Sequence, residues 1–219
     1  MKDEKTKKII FVCTGNTCRS PMAEALFRSE LKRLHIDDIA VLSAGLSVAK
    51  NDGLNPNSAI ALSENGLTLD NFQSKQLTED MIENAYAVIC MTEKQRQVIE
   101  EKLAMLFFAS AGKKSYSSDK IHSFYSLVGY DVPDPFGRDL NCYRFVFQKL
   151  SEGMQKICQK LNICPVGESK KQCGEIQKPT PKKRGRPRKN PDAPTDKTPS
   201  APKKRGRPRK NPDTNATNN

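Results

Sequence analysis

The run Ile9-Ile10-Phe11-Val12-Cys13-Thr14-Gly15-Asn16-Thr17-Cys18-Arg19-Ser20-Pro21 constrains this chain more than any other stretch. Ile9 to Val12 are apolar and β-favouring, and turn residues bound them, so they read as a buried strand. Ser20 suits a helix N-cap, and Pro21 the first helical position, where a missing N–H costs nothing. Met22-Ala23-Glu24-Ala25-Leu26-Phe27 continues the helix. A strand, a tight loop and a helix in that order put the loop at the carboxyl end of a strand, where open α/β sheets bind their ligands.

The residues of the loop set its chemistry. Backbone N–H groups over Thr14, Gly15, Asn16, Thr17 and Cys18, opening onto a helix N-terminus, form a cradle for an oxyanion. Arg19 adds a planar fork that holds two oxygens of a phosphoryl group. Cys13 in that electropositive setting is expected as the nucleophilic thiolate, with Ser20 placed to donate a hydrogen bond to it. A thiolate inside an anion cradle is the arrangement for phosphoryl transfer through a cysteinyl-phosphate. No metal or other cofactor is called for, because Arg19 and the amides stabilise the charge. A cysteine at a strand end is also an ordinary core residue, so the reading leans on residues further along the chain.

Beyond the first helix, strands alternate with helices. Met22, Ala25, Leu26, Leu31 and Leu34 give the first helix an apolar stripe. Ile39 to Leu42 read as a second strand, parallel to the first through a right-handed crossover. Asn55-Pro56-Asn57 opens a helix that stops at Asn65-Gly66, and Thr78-Glu79-Asp80 opens a short one. Tyr86 to Cys90 form a third strand, and Thr92-Glu93 caps a helix to Phe108. Residues 112–119 are a polar connection, and Lys120 to Phe124 a weak fourth strand. Two prolines and a glycine make Asp131-Val132-Pro133-Asp134-Pro135-Phe136-Gly137 a held loop. Asp139 then caps a long helix to Leu161, with Tyr143, Val146, Phe147, Leu150, Met154 and Ile157 on one face. The alternation predicts a doubly wound α/β domain.

Charge divides the chain in two. Of its 219 residues, 1–168 hold 21 basic and 21 acidic side chains and 169–219 hold 16 and 4, so the net charge of +12 sits in the last part. That part has one isoleucine and no Leu, Val, Phe, Tyr, Trp or Met, too little to bury a core, and it is expected to be disordered. The predicted organisation is a domain over 1–165 and a basic tail over 166–219. Cys13, Cys18, Cys90, Cys142, Cys158, Cys164 and Cys173 are irregularly spaced and do not form a secreted disulfide framework or a zinc pattern. Met1-Lys2-Asp3-Glu4-Lys5 is no signal peptide and no run approaches a membrane span, which points to the reducing cytoplasm.

The string Val12-Cys13-Thr14-Gly15-Asn16-Thr17-Cys18-Arg19-Ser20-Pro21-Met22-Ala23-Glu24, with Ser43-Ala44-Gly45 and Asp134-Pro135 after it in order, resembles the low-molecular-weight protein tyrosine phosphatase family. The resemblance runs from residue 7 to about 163. It implies a four-stranded parallel sheet with helices on both faces, and phosphorylated proteins as substrates. It also implies that Asp134 is the acid that protonates the leaving group and then the base that deprotonates water, roles one carboxyl can take in turn. Asp131 is a nearby rival without a proline after it. Ser43 is implied as the support that holds Asn16, whose place in a tight loop suits left-handed backbone geometry. Cys18 has two open readings, a reversible disulfide with Cys13 that shields the nucleophile or simple packing.

The substrate is read at Thr17 and Phe136. Tyrosine-specific members usually have an aliphatic residue where Thr17 stands and an aromatic pair after Asp-Pro, whereas this chain has Phe136-Gly137 and no tryptophan. A hydroxyl at Thr17 resembles the bacterial protein-arginine phosphatases, and one hydrogen-bonding position in a dry site discriminates strongly. Phosphoarginine is favoured and phosphotyrosine stays open. Arsenate reductases share the fold but relay a disulfide through a second cysteine after the third strand. In those relatives the pair is seven residues apart; here Gln97 stands seven after Cys90, and no further cysteine comes before Cys142.

The tail repeats itself. Residues 181–192 recur as 202–213, identical over twelve positions, and each copy centres on Arg-Gly-Arg-Pro: Arg184-Gly185-Arg186-Pro187 and Arg205-Gly206-Arg207-Pro208. This resembles the AT-hook. Glycine lets an extended backbone sink into a narrow groove, the flanking arginines go in with it, and A·T tracts offer the narrowest, most negative minor groove. The expected partner is AT-rich double-stranded DNA, against the plainer reading of an unspecific basic tail or import signal. A DNA-binding protein with a non-catalytic phosphatase-like domain is the rival from another class.

Overall fold

The computed structural model describes residues 6–50, 52–110 and 117–163. Its elements are β1 (Lys7–Cys13), α1 (Arg19–Arg33), β2 (Ile39–Gly45), α2 (Pro56–Ser63), α3 (Glu79–Glu83), β3 (Ala87–Cys90), α4 (Glu93–Ala109), β4 (Ile121–Ser123), α5 (Phe124–Val128) and α6 (Leu140–Lys160). The four strands make one parallel sheet in the order β2-β1-β3-β4, with helices on both faces, as the resemblance implies. The proposed boundary at 165/166, the expected disorder of 166–219 and both basic repeats lie outside the described residues.

Alternation along β1 sends its residues to opposite sides of the sheet. Ile9, Phe11 and Cys13 join the core beneath α1 and α6, with Met22, Phe27, Val146 and Leu150. Ile10 and Val12 join Val88, Cys90, Ile99 and Leu103 beneath α4. Cys13 is therefore the last inward residue of a central strand, on the face where α1 begins.

Several boundaries differ from the expectations: β1 and β2 run beyond the expected 9–12 and 39–42, and three others have a local cause. Helix α1 starts two residues early, with Cys18 rather than Ser20 as N-cap and no side-chain cap bond, because the Ser20 hydroxyl is engaged with Cys13 and Asn16. Pro21 is then third in the helix, still in the turn whose N–H groups have no intrahelical partner. The fourth strand is cut short because Phe124 opens α5, a helix missed in the sequence. Ser123 and Ser126 cap it reciprocally, and Gly129 ends it at φ 102°. Of the polar connection over 112–119, Ser118 and Asp119 join Lys120, expected in the strand, in a 3₁₀ turn with Ser117 as its N-cap, and 112–116 lie outside the described residues. The other helices start where their caps predict: Asn55, Thr78, Thr92 and Asp139 each accept a backbone N–H at the head of α2, α3, α4 and α6.

Candidate active site

The loop between β1 and α1 closes around the Cys13 sulfur. Its Sγ lies 3.0 Å from Ser20 Oγ and accepts the Asn16 N–H at 3.3 Å. Asn16 takes the left-handed conformation at φ 56° that the sequence suggested, and it is completely buried. Its Nδ2 donates to Ser20 Oγ at 2.9 Å and to Ser43 Oγ at 3.0 Å, while its Oδ1 accepts the Lys75 N–H at 2.8 Å. Ser74 Oγ donates to the Asn16 carbonyl. Gln95, from the capping box of α4, donates to Thr14 Oγ1 at 3.1 Å. Neighbouring elements thus hold the loop at Thr14, Asn16 and Ser20.

Gly45 shows how tightly the loop is held. A Cβ there would stand 2.8 Å from the Thr14 carbonyl oxygen and 3.0 Å from the Asn16 nitrogen. Both atoms are backbone, so only glycine lets β2 run this close.

Arg19, buried at the head of α1, aims its guanidinium at the loop around residue 134. Its Nη2 donates to Asp134 Oδ2 at 2.6 Å and its Nη1 to the Val132 carbonyl at 3.4 Å. Asp134 Oδ1 accepts the Phe136 N–H, which fixes the carboxylate across the turn. Cys13, Thr14, Gly15, Thr17, Cys18 and Arg19 line one side of a cavity of about 240 Å³. Ser47, Ala49, Asp52, Asp134 and Phe136 complete it. Phe136 is 70% exposed at its mouth. Of the residues singled out, Cys13, Thr14, Gly15, Thr17, Cys18, Arg19, Asp134 and Phe136 meet here, while Asn16 and Ser20 are fully buried, bonded to the Cys13 sulfur.

Asp131 does not belong to this group. Its Oδ1 accepts the Glu93 N–H at 2.9 Å at the positive N-terminal end of α4, a stabilising place for a carboxylate. Cys18 Sγ lies 3.5 Å from the Tyr143 hydroxyl of α6, whose ionisation is pushed up by burial and by that contact. Neither Cys13 nor Cys18 is in a disulfide. Cys90 is wholly buried beneath α4, and burial raises its thiol well above the ordinary range, so it makes a poor relay for the arsenate reductase alternative. Ser47, Asp52, Lys75 and Gln95 escaped the sequence reading because each reaches the loop across a distance in the chain that no local pattern encodes. A larger cavity, about 480 Å³ between α3 and α4 and lined by Leu77, Ile99, Leu103 and Leu106, contains none of these groups. Among the described residues no cluster of His, Cys, Asp and Glu could hold a metal ion, and no helix is long and apolar enough to cross a membrane.

Residues 8–164 match the sequence model of the low molecular weight phosphotyrosine protein phosphatase family. This chain belongs to that family. It is a cysteine-dependent protein phosphatase of low-molecular-weight type, similar to a protein-arginine-phosphatase of Bacillus subtilis (strain 168), 37% identical over 156 residues that cover 70% of this chain and 95% of the relative. The protein-arginine-phosphatase of Geobacillus stearothermophilus is 32% identical over 154 residues, 70% of this chain and 95% of its own length. Among solved structures, a YwlE arginine phosphatase mutant with a phosphorylated active-site serine superposes with a TM-score of 0.62 at 35% identity, covering 71% of this phosphatase and 96% of that chain. Beyond the phosphatase region, residues 181–193 and 202–214 each match the AT hook motif.

Proposed function

We propose that this phosphatase hydrolyses phosphoarginine in proteins through a cysteinyl-phosphate and that its tail tethers it to AT-rich DNA. Cys13 Sγ attacks phosphorus in line with the leaving nitrogen while Arg19 and the loop amides hold the phosphoryl oxygens. The P–N bond breaks as Asp134 delivers a proton to that nitrogen. A water then attacks phosphorus and gives its proton to Asp134, the S–P bond breaks, and phosphate leaves. The phosphorylated active-site serine of the YwlE mutant supports a covalent intermediate at the corresponding step.

The observation that carries the substrate is the polar rim. The Thr17 hydroxyl, Asp52 and Asp134 line the same small cavity as the Cys13 sulfur. A guanidinium has N–H donors on every edge and finds acceptors there, whereas a phenol ring finds them wasted. The exposed Phe136 ring favours the second reading, phosphotyrosine, because it offers an aromatic face. The names of the two arginine-phosphatase relatives support the first. Turnover of phosphoarginine against phosphotyrosine peptides by wild type and Cys13→Ser tests both: faster phosphoarginine hydrolysis that vanishes in the variant is expected. Faster phosphotyrosine hydrolysis would reverse the preference, and turnover of neither by folded protein would leave a non-catalytic domain on a DNA-binding tail.

A further inference from the structure

Glu24 is a buried acid that the proposed reaction does not use. It lies on α1, 6% exposed, with Oε2 accepting from Ser43 Oγ and Oε1 from Arg28 Nη2, each at 2.5 Å. Arg28 also donates to the Val41 carbonyl. An i,i+4 ion pair on a helix surface is worth little. Here one oxygen of the carboxylate is spent on a serine that itself touches the loop around Cys13.

The directions of these hydrogen bonds are forced. A carboxylate only accepts and a guanidinium only donates. Ser43 therefore gives its single proton to Glu24 and receives the Asn16 amide N–H on a lone pair. The Lys75 N–H at the other end must meet the amide oxygen of Asn16. With the amide oriented from both ends, its remaining N–H goes to Ser20 Oγ. Ser20 then accepts from Asn16 and keeps its own proton for Cys13 Sγ at 3.0 Å or, more distantly, the Ala44 carbonyl at 3.3 Å.

We infer that Glu24 is a positioning residue for the nucleophile: acting through Ser43, and together with the Lys75 N–H on Asn16, it holds the line of hydrogen bonds that ends through Ser20 on Cys13. This rests on Cys13 being the nucleophile. An ion pair that merely stitches α1 to β2 would affect stability alone.

The test is Glu24→Gln. Because Arg28 can only donate, the glutamine oxygen turns to Arg28 and its NH₂ faces Ser43, which reverses the first bond of the line. In folded protein, kcat for an aryl phosphate and the rate of Cys13 alkylation by iodoacetamide at neutral pH are each expected to fall about tenfold, the equivalent of one good hydrogen bond. KM stays close to wild type, and the acidic limb of the kcat/KM profile moves to higher pH. Arg28→Gln removes the ion pair but leaves the carboxylate on Ser43, so it lowers the melting temperature while kcat stays within twofold. Where Glu24→Gln does not fold, Glu24→Asp keeps the charge but falls a methylene short of spanning Ser43 and Arg28, and the same losses are expected. Rates within twofold of wild type in either folded variant, or an equal loss in Arg28→Gln, would overturn the inference. Full turnover by Cys13→Ser would instead overturn the nucleophile reading beneath it.

Discussion

Replacing Arg19 by lysine keeps a positive charge and removes the fork that grips two oxygens at once. Hydrolysis by Arg19→Lys is expected to fall a hundredfold or more, on the order seen when one preorganised donor is lost, as read from kcat/KM in the folded variant. Asp134→Asn should lower kcat by about 10² to 10⁴, the usual span for a general acid, with a smaller effect for a substrate whose leaving group needs no proton. His122 tests a different property. Burial first, and Arg96 second, lower its proton affinity below the usual 6.5. The unfolded chain therefore binds that proton more readily than the fold does, and stability present above pH 6.5 is lost as pH falls toward the lowered value. The melting temperature should drop between pH 7.5 and 5.5, and His122→Gln should flatten that slope. Glu93, held below its usual 4.5 chiefly by Arg96, gives up its contribution only at more acid pH. At this scale the meeting of Cys13, Arg19 and Asp134 in one cavity was legible because their types and order suggest a shared chemistry. The tasks of Glu24, Lys75 and Asp131 were not, because each depends on a partner that only the fold brings near.

Among the elements, two glycines set distances that no side chain would allow. In Gly45→Ala the new methyl meets the Thr14 and Asn16 backbone, so phosphate-ester turnover should fall sharply while the circular dichroism of the α/β fold persists. In Gly153 of α6 a Cβ would strike the ring of Phe124 in α5. Alanine is the better helix former by about 1 kcal/mol, yet Gly153→Ala should lower the melting temperature because overpacking there costs more, about 1–3 kcal/mol. Caps made most helix starts readable: Thr92 and Asp139 stand where the sequence put them. The cap placed at Ser20 lies two residues earlier, at Cys18, for a chemical reason, since the hydroxyl that suits a cap is drawn into the site. Helix α5 did have a readable signature, Ser123 to Gly129, but it is short and comes directly after a strand, so the apolar run hid it.

For the whole molecule, catalysis and tethering are expected to separate. Replacing Arg186 and Arg207 by alanine in the full chain should weaken retention on AT-rich duplex and make its salt dependence shallower, as measured by fluorescence anisotropy from low to moderate salt, with hydrolysis of a small phosphoester unchanged. Unaltered retention would return the tail to a general basic segment. Its repeats were legible as sequence, and both match the AT hook motif, because a short local string is recognised without a core to bring its residues together. The Arg19–Asp134 contact has a consequence of its own on the proposed mechanism. One carboxylate oxygen of Asp134 and an oxygen of a bound phosphoryl group would be rivals for the same guanidinium edge, so the contact that anchors the Asp134 loop is also one of the donors the phosphate cradle needs.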